Sequence, residues 1–554
     1  MNYKVCVIAL DGATMDLVEP WARAGKLKTL ATFFEQGVTA RLESVIPPIT
    51  GPAWASFVTG KNPAAHGVGD WWYKRQNSYE LLPVNSTRIR TATLWDLLAA
   101  NDKRVGALNV PMTYPPPKTN GVVVSGLLTP TNRGAYTYPA EFRDELLKAI
   151  PDYRMNLETF YAPGQAEPFL NDLRDLIRVR SEAARLIYQR ESPDFFMVHY
   201  IATDWVQHAL WHLMDPTHPK HNPAEAAEYG DGILKIYQQI DAELEKLLAL
   251  LAPNTTVIVM SDHGFGPLYD YIYLNTWLLH KGWLVLKSDA ATRLKHLLFN
   301  LGLVPTNLYR LASRLGLSSA AVGARKETQY NLLKTFFLSA QNIDWARTRA
   351  YSVGNIGQIF LNVRGREAHG SVTPGPEYTQ LRDQLIEQLQ RELIHPRDGR
   401  SLADHIYRRE EIYHGPFLEE MPDILVMPRN LEFQAAGLSE FLSNRVAEPS
   451  FIYSGGHRMD GTLLMRGGPV RAGTRLASAR LVDLLPTILY LLDTPLLRDF
   501  DGQILQDALQ EELMLTRPVR YAEGETKGQV SQEVYSEQES EEINERLRAL
   551  GYLG

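Results

Sequence analysis

Cysteine is nearly missing from this chain of 554 residues: the single one, Cys6, sits in the apolar run Val5-Cys6-Val7-Ile8-Ala9 and reads as a small buried hydrophobe. No intramolecular disulfide can form. A basic excess is missing too. Lys and Arg number 57 against 64 Asp and Glu, a formal net charge of -7, which leaves no footprint for a nucleic-acid polymer. No stretch approaches the ~18–20 uninterrupted apolar residues of a membrane span, so no transmembrane segment is expected. The N-terminus shows no basic segment, no long apolar core and no small-residue cleavage site, because Asp11 interrupts the first apolar run; the expected location is cytoplasmic. Internal repeats and low-complexity tracts are absent as well.

What is present is an ordinary globular balance, 45% hydrophobic and 22% charged, over a length that exceeds one small domain. Apolar, β-branched runs at 4–9, 104–109, 121–125, 194–200 and 255–260 alternate with amphipathic stretches at 168–190, 225–251 and 376–393. That alternation predicts an α/β fold, a mostly parallel central sheet sandwiched by helices. Residues 1–265 are expected to form the first part of this core. Residues 266–349 turn Leu-rich and helical, as in 291–301 and 306–315, with no clear strand before 350–363, and read as a helical insertion or cap. Residues 350–522 read as the second part of the core, the helical spacing of 480–489 included. The end, 523–554, is acidic and polar until Leu547-Leu550-Leu553 and reads as a solvated tail with a docking tip.

In parallel sheets, ligands collect beyond the carboxyl ends of the strands, so polar residues just after apolar runs are the candidates. Asp11-Gly12 follows the first run. Asp204 follows the run ending at Ile201, with His208 four residues on, so a helical turn puts both on one face where they can chelate a cation. His212 extends that face. Asp262 and His263 end the run 255–260 ahead of Gly264, which lets the backbone curl around a metal. His457 stands in the glycine-rich Ser454-Gly455-Gly456-His457. Thr50, shortly before Pro52, is the expected N-cap of a helix, placing its hydroxyl at the positive end of the dipole. A phosphoryl group could bind there, and a metal could lower the hydroxyl pKa to make an attacking alkoxide. Taken one at a time, each of these residues also has a structural reading as a turn, cap or loop residue.

The ordered set Asp11, Thr50, Asp204/His208, Asp262/His263 and His457, followed by Thr59-Gly60-Lys61-Asn62-Pro63-Ala64-Ala65-His66-Gly67 after the nucleophile candidate, resembles the alkaline phosphatase superfamily, in its type I phosphodiesterase/nucleotide pyrophosphatase branch. The T-G-x-x-P-x-x-H-G run is the specific part, and the resemblance covers most of the chain outside the insertion and tail. It implies an alkaline-phosphatase-like fold and hydrolysis of a small phosphoryl ester, nucleotides included, through a phosphothreonine on Thr50. It implies two divalent metal ions, one held by Asp11, Thr50, Asp262 and His263, the other by Asp204, His208 and His457. Zinc suits this nitrogen and oxygen set, with manganese the alternative. His66 is left a structural role, and His212 an outer or surface one.

One departure stands out: where nucleotide pyrophosphatases place an asparagine for the phosphoryl oxygens, this chain has Trp71, within Asp70-Trp71-Trp72-Tyr73. Trp71, Trp72 and Asn109 are therefore the substrate-binding candidates. Aromatic faces could stack a planar leaving group, and Asn109 could replace the missing amide; core packing and a turn are their structural alternatives. The competing enzymes of the superfamily fit less well. Sulfatases need a formylglycine from Cys or Ser, absent from Thr50-Gly51-Pro52-Ala53-Trp54. A phosphomutase would use serine and a dedicated domain, and phosphoethanolamine transferases need membrane spans. A phosphomonoesterase commonly adds an arginine fork, yet the first Arg after Thr50 is Arg75. A catalytically silent binding protein would have lost ligands, and none is missing.

Overall fold

In the computed structural model, residues 3–130, 134–314, 336–436, 441–451, 453–524 and 534–549 are described. The strands Lys4–Leu10, Arg104–Val110, Asn120–Ser125, Phe195–Tyr200 and Thr255–Met260 lie where the apolar runs predict them. They are the five parallel strands in the middle of a nine-stranded sheet, in the spatial order 255–260, 4–10, 195–200, 104–110, 120–125. Nearly every side chain in them is buried, which is why their sequences run apolar instead of alternating. Antiparallel Asp460–Arg466 joins Thr255–Met260 to Val38–Glu43 on one side. The long helix Ala166–Glu191 packs on one face as a crossover. The helix expected over 225–251 is two, Pro223–Tyr229 and Gly232–Leu248, because Gly230 separates a short turn capped by Asn222 from the amphipathic segment that packs against the sheet helices.

A second core lies apart from this sheet. Trp277, Leu284, Phe299, Ile359, Leu361, Leu385, Ile424 and Val426 belong to it, and its residues run from Ile272 to Ala447. Its sheet joins Ala350–Ser352, Gln358–Leu361, Ile424–Pro428 and Ala403–Arg408, with Pro376–Glu392 as its helix. The boundary expected at 349/350 therefore needs correction: strands after 350 pair with one another and bury their apolar faces in the second core, and the chain rejoins the main sheet only at Asp460. Strands also occur before 350. Gly264–Pro267 pairs with Gly455–Arg458, and Asp270–Tyr273 pairs with Phe433–Ala436 and Ala447–Pro449. Both are only four residues long, and the first is half Gly and one-quarter Pro, so neither shows as an apolar run.

The segment 480–489 is helical and buried as expected, a short turn Leu481–Asp483 running into Leu484–Leu491. In the tail, Glu537–Ala549 is a helix whose Ile543 and Leu547 are buried; Leu550 and Leu553 lie outside the described residues. Tyr535 stacks parallel to Tyr114 and donates to the Leu128 carbonyl. Among the described residues, no helix is long and apolar enough to cross a membrane.

Candidate active site

The parallel register sets the site. Ala9 lies beside His199 on one neighbour and Met260 on the other, so the turns after these three strands leave the sheet at one level. Asp11 and Asp262 occupy two of those turns, Asp204 stands in the first turn of the helix Ala202–Met214 that follows the third, and all three are fully buried. Gly12 is needed here: its φ is +63°, and a Cβ would meet Phe265 at 2.8 Å and the Asp204 carboxylate at 3.2 Å. Its amide donates to Asp262 Oδ1 at 3.2 Å. Thr50 opens the helix Thr50–Thr59 and is likewise fully buried. The cap position falls on Ile49, and the Thr50 hydroxyl caps nothing; it lies 3.3 Å from His263 Nε2. The N-cap expectation is thereby corrected. The hydroxyl is turned toward the histidine and away from the helix amides.

The imidazoles are oriented by the main chain. His208 Nδ1 sits 2.9 Å from the Gly455 carbonyl, His457 Nδ1 2.8 Å from Pro48, and His263 Nδ1 3.1 Å from Gly264. Gly455 permits its approach, since a Cβ there would lie 2.3 Å from the Gln207 carbonyl. With Nδ1 carrying the hydrogen, each Nε2 turns a lone pair inward, as in metal-ligating histidines. His208 Nε2 and His457 Nε2 are 3.0 Å apart, and both lie near Asp204 Oδ1, at 3.5 and 3.4 Å. His263 stacks on His457 with ring centroids 3.6 Å apart. Two converging lone pairs repel unless a cation or proton lies between them.

Two groups of side chains have ligand atoms within 4.8 Å of one another: Asp204, His208 and His457, and Asp11, Asp262 and His263. Both fit a divalent cation. Buried Asp11 Oδ1 and Asp262 Oδ2 accept no hydrogen bond among the described residues, although a carboxylate has four acceptor positions. Burial, then the charges of Asp262 and Asp204, pushes the Asp11 carboxyl well up; burial and Asp204 push Asp262 up to about 7. Burial raises Asp204 as well, but the imidazoles of His208 and His457 outweigh it and hold that carboxyl low. Burial, opposed by Asp204, brings His208 down to about 4. This is a cage of acceptors short of positive charge.

A model of the type I phosphodiesterase/nucleotide pyrophosphatase family matches residues 5–431. The chain belongs to that family. It is a hydrolase acting on phosphoric ester bonds, of the phosphodiesterase and pyrophosphatase type. Solved structures of similar fold include human ectonucleotide pyrophosphatase/phosphodiesterase 5, 13% identical, with 91% of this chain and 99% of that one covered at a TM-score of 0.51. Another is phosphonoacetate hydrolase from Sinorhizobium meliloti 1021 in complex with phosphonoformate, 15% identical, with 89% and 96% covered at 0.51.

Beside the seven candidate ligands stands a residue for which the sequence suggests no role. His199 Nε2 lies 2.6 Å from Asp11 Oδ2, which also accepts from Trp54 Nε1 at 3.2 Å. Burial, with Arg180 behind it, pushes the His199 pKa far down, so a neutral ring supports Asp11. The available signal was a histidine inside an apolar strand one step before the ligand turn.

The three substrate candidates fare unequally. Trp71 is fully buried, and a Cβ on Gly51, next to Thr50, would lie 3.2 Å from its ring. Trp72 instead faces the tail, donating from Nε1 to Asn544 Oδ1 at 2.8 Å. Asn109 is held at φ +56° where the strand pairing shifts; its amide donates to the Ser125 carbonyl and accepts from the Tyr153 hydroxyl, both at 2.9 Å. Both polar groups of its amide are thereby engaged at the strand end. His66 is buried against Ser56 at 2.9 Å, and His212 against Ser454 at 2.9 Å. A cavity of about 1060 Å³ between the 67–90 segment and the second sheet is lined by Asp70, Trp72, Tyr73, Arg88, Arg366 and Tyr378, but by none of the seven family residues.

Proposed function

We propose that the chain is a metal-dependent phosphodiesterase/nucleotide pyrophosphatase that works through a phosphothreonine on Thr50. The observation that carries this reading is the position of the Thr50 hydroxyl, 3.3 Å from His263 Nε2 beside two groups of converging carboxylates and imidazoles. Asp11, Thr50, Asp262 and His263 would hold one divalent cation, and Asp204, His208 and His457 the other. Zinc fits the mixed donors, with manganese the alternative. Bound cations would lower the pKa of the threonine hydroxyl and neutralise charge on the phosphoryl oxygens.

The remaining work falls to the chain itself. Thr50 starts a buried helix, so the attacking oxygen and the phosphoryl group meet the positive end of its dipole. Trp71 packs on Gly51 and excludes water from one side of the nucleophile. His199 and Trp54 fix the Asp11 carboxylate so that its other oxygen turns into the site. Thr50 Oγ1 bonds to phosphorus as the bond to the leaving oxygen breaks, the hydroxyl proton passing through solvent to that leaving group; water then adds its oxygen to phosphorus, the phosphothreonine bond breaks and a water proton restores the threonine hydroxyl.

The test combines elemental analysis with trapping of the phosphoenzyme. Close to two transition-metal ions per chain and a phosphate covalently on Thr50 after rapid acid quench are expected. Active protein without metal would sink the reading, as would a labelled residue other than Thr50.

A further inference from the structure

The helices Ala290–Asn300 and Pro305–Arg314 are turned inside out. On the first, Thr292 and Phe299 face the second core, while Leu294, Leu297 and Leu301 point to solvent at 57%, 56% and 70% exposure. These leucines recur at spacings of three and four, which is one helix face. Leu303, Leu308, Leu311 and Phe336 are exposed as well, so seven of the ten large exposed hydrophobic side chains among the described residues lie between 294 and 336. Such a concentration marks an interaction surface, since scattered exposed leucines would need no explanation.

The charge in the stretch that carries most of them is predominantly positive. From Lys281 to Leu311 the sequence has Lys281, Lys287, Arg293, Lys295 and Arg310 against the single acid Asp289, in a chain of net charge -7. Lys281 and Arg310 pair with Glu392 and Glu448, whereas Lys287 and Arg293 are exposed. Asp289 is occupied as the cap of the first helix. Beside the leucines, an apolar cavity of about 390 Å³ is lined by Leu298, Phe299, Leu303, Phe337 and Phe441, with Lys295 the one charged residue in its wall. Leu303 is both exposed and part of that wall, so the cavity meets the leucine surface.

We infer that this face docks on an anionic phospholipid bilayer, the leucines entering the acyl boundary, the cations meeting the headgroups and the cavity accepting part of one acyl chain. Apolar residues on the outer face of short helices, flanked by Lys and Arg, are the pattern of interfacial, non-spanning attachment. A second copy of the chain fits less well, because a two-fold contact would set the same cations against themselves.

The experiment is flotation of the full-length protein with vesicles of phosphatidylcholine alone or with 30% phosphatidylglycerol, at low and high salt. At least tenfold more protein should float with the anionic vesicles, and salt should reduce it. The variant L294E/L297E/L301E should lose that binding and keep wild-type turnover of bis-p-nitrophenyl phosphate; these side chains are solvent-facing, and the soluble assay reports on folding and on the catalytic reading separately. R293E should weaken anionic binding several-fold. Wild-type protein that fails to float, or a triple variant that floats like wild type, overturns the inference. So does a concentration-dependent dimer in sedimentation that the same triple substitution dissolves.

Discussion

The two ligand clusters are built from different parts and carry different charge. Asp11, Asp262 and His263 are wholly buried at the ends of adjacent parallel strands, two carboxylates to one imidazole. Asp204, His208 and His457 have the opposite ratio, come from a helix and a short antiparallel strand, and leave His457 partly open. In the second cluster His208 and His457 favour the ionised Asp204 carboxylate against its burial penalty. In the first, burial and like charge push both carboxyls up, so a bound cation would have to displace their protons. The lesson is that the cluster beside Thr50 is the one in which burial and like charge disfavour ionised carboxylates.

The strongest way to break the comparison is at Thr50, which touches the first cluster only. Thr50→Ala should lower kcat/KM for phosphodiesters by roughly 10^3-fold or more, the scale of losing a nucleophile, with metal content near that of wild type; Thr50→Ser should recover part of the rate. Wild-type rates in the alanine variant would exclude covalent catalysis. Next is the second cluster. His457→Ala or Asp204→Ala should leave close to one metal per chain by elemental analysis, whereas retention of two would show that the ligand division is wrong.

Metal removal sharpens the contrast through pH. The raised carboxyls of Asp11 and Asp262 stay protonated in the folded metal-free chain at pH values where the unfolded chain has already lost those protons. Their stabilising contribution is complete below the unfolded carboxylate pKa and is lost as pH rises through about 7 and above. Chelator-treated protein should therefore melt at higher temperature at pH 7 than at pH 8.5, with the metal-loaded protein showing a smaller difference. Below about 6.5 the buried histidines reverse the trend, since His208 titrates only near 4 when folded. A metal-free Tm that is flat or rises between pH 7 and 8.5 would contradict the charge excess assigned to the first cluster.

The sheet was legible because five strands buried on both faces must be continuous apolar runs, and the turns after them had to hold whatever polar chemistry the strands deliver. Asp11, Asp204, His208, Asp262 and His263 follow three of those strands for that reason, whereas Thr50 and His457 reach the site from a separate helix start and a short antiparallel strand. The second lobe was not legible to the same degree. Its strands are short, and Gln358–Leu361 and Ala403–Arg408 acquire their pairing from residues tens of positions away. His199 was missed because one histidine in Phe195–Tyr200 does not disturb an apolar pattern. Helix-end placement at Thr50 was off by one residue, a distance over which capping preference and tertiary demand on the hydroxyl compete.

Substrate preference is a smaller effect. None of the seven ligand candidates is an arginine, and the half-buried Arg458 is spent on the carbonyls of Leu431, Pro267 and His457. Neither the seven candidates nor Arg458 would give a monoester dianion a guanidinium fork for its extra charge. On one preparation, bis-p-nitrophenyl phosphate should exceed p-nitrophenyl phosphate in kcat/KM by roughly tenfold, about 1.4 kcal/mol; a monoester preference would move the assignment to a phosphatase.

The smallest expected effect separates the tail from both clusters. The helix Glu537–Ala549 meets the core through one indole hydrogen bond, Trp72 to Asn544 at 2.8 Å, and through Arg546, which donates to the Thr129 and Pro130 carbonyls at 2.7 and 2.8 Å. Tyr535 adds a buried ring stacked on Tyr114. Asn544→Ala removes one acceptor and leaves Trp72 Nε1 to find water, which costs about 1 kcal/mol for a partly buried neutral pair. The thermal midpoint should fall by a few degrees or less in a chain of this length. Turnover should hold, because Trp71, and not Trp72, packs on the turn that carries Thr50. A large loss of kcat in Asn544→Ala with an unchanged midpoint would mean that the tail positions the nucleophile, and that the line drawn between the tail and the site lies in the wrong place.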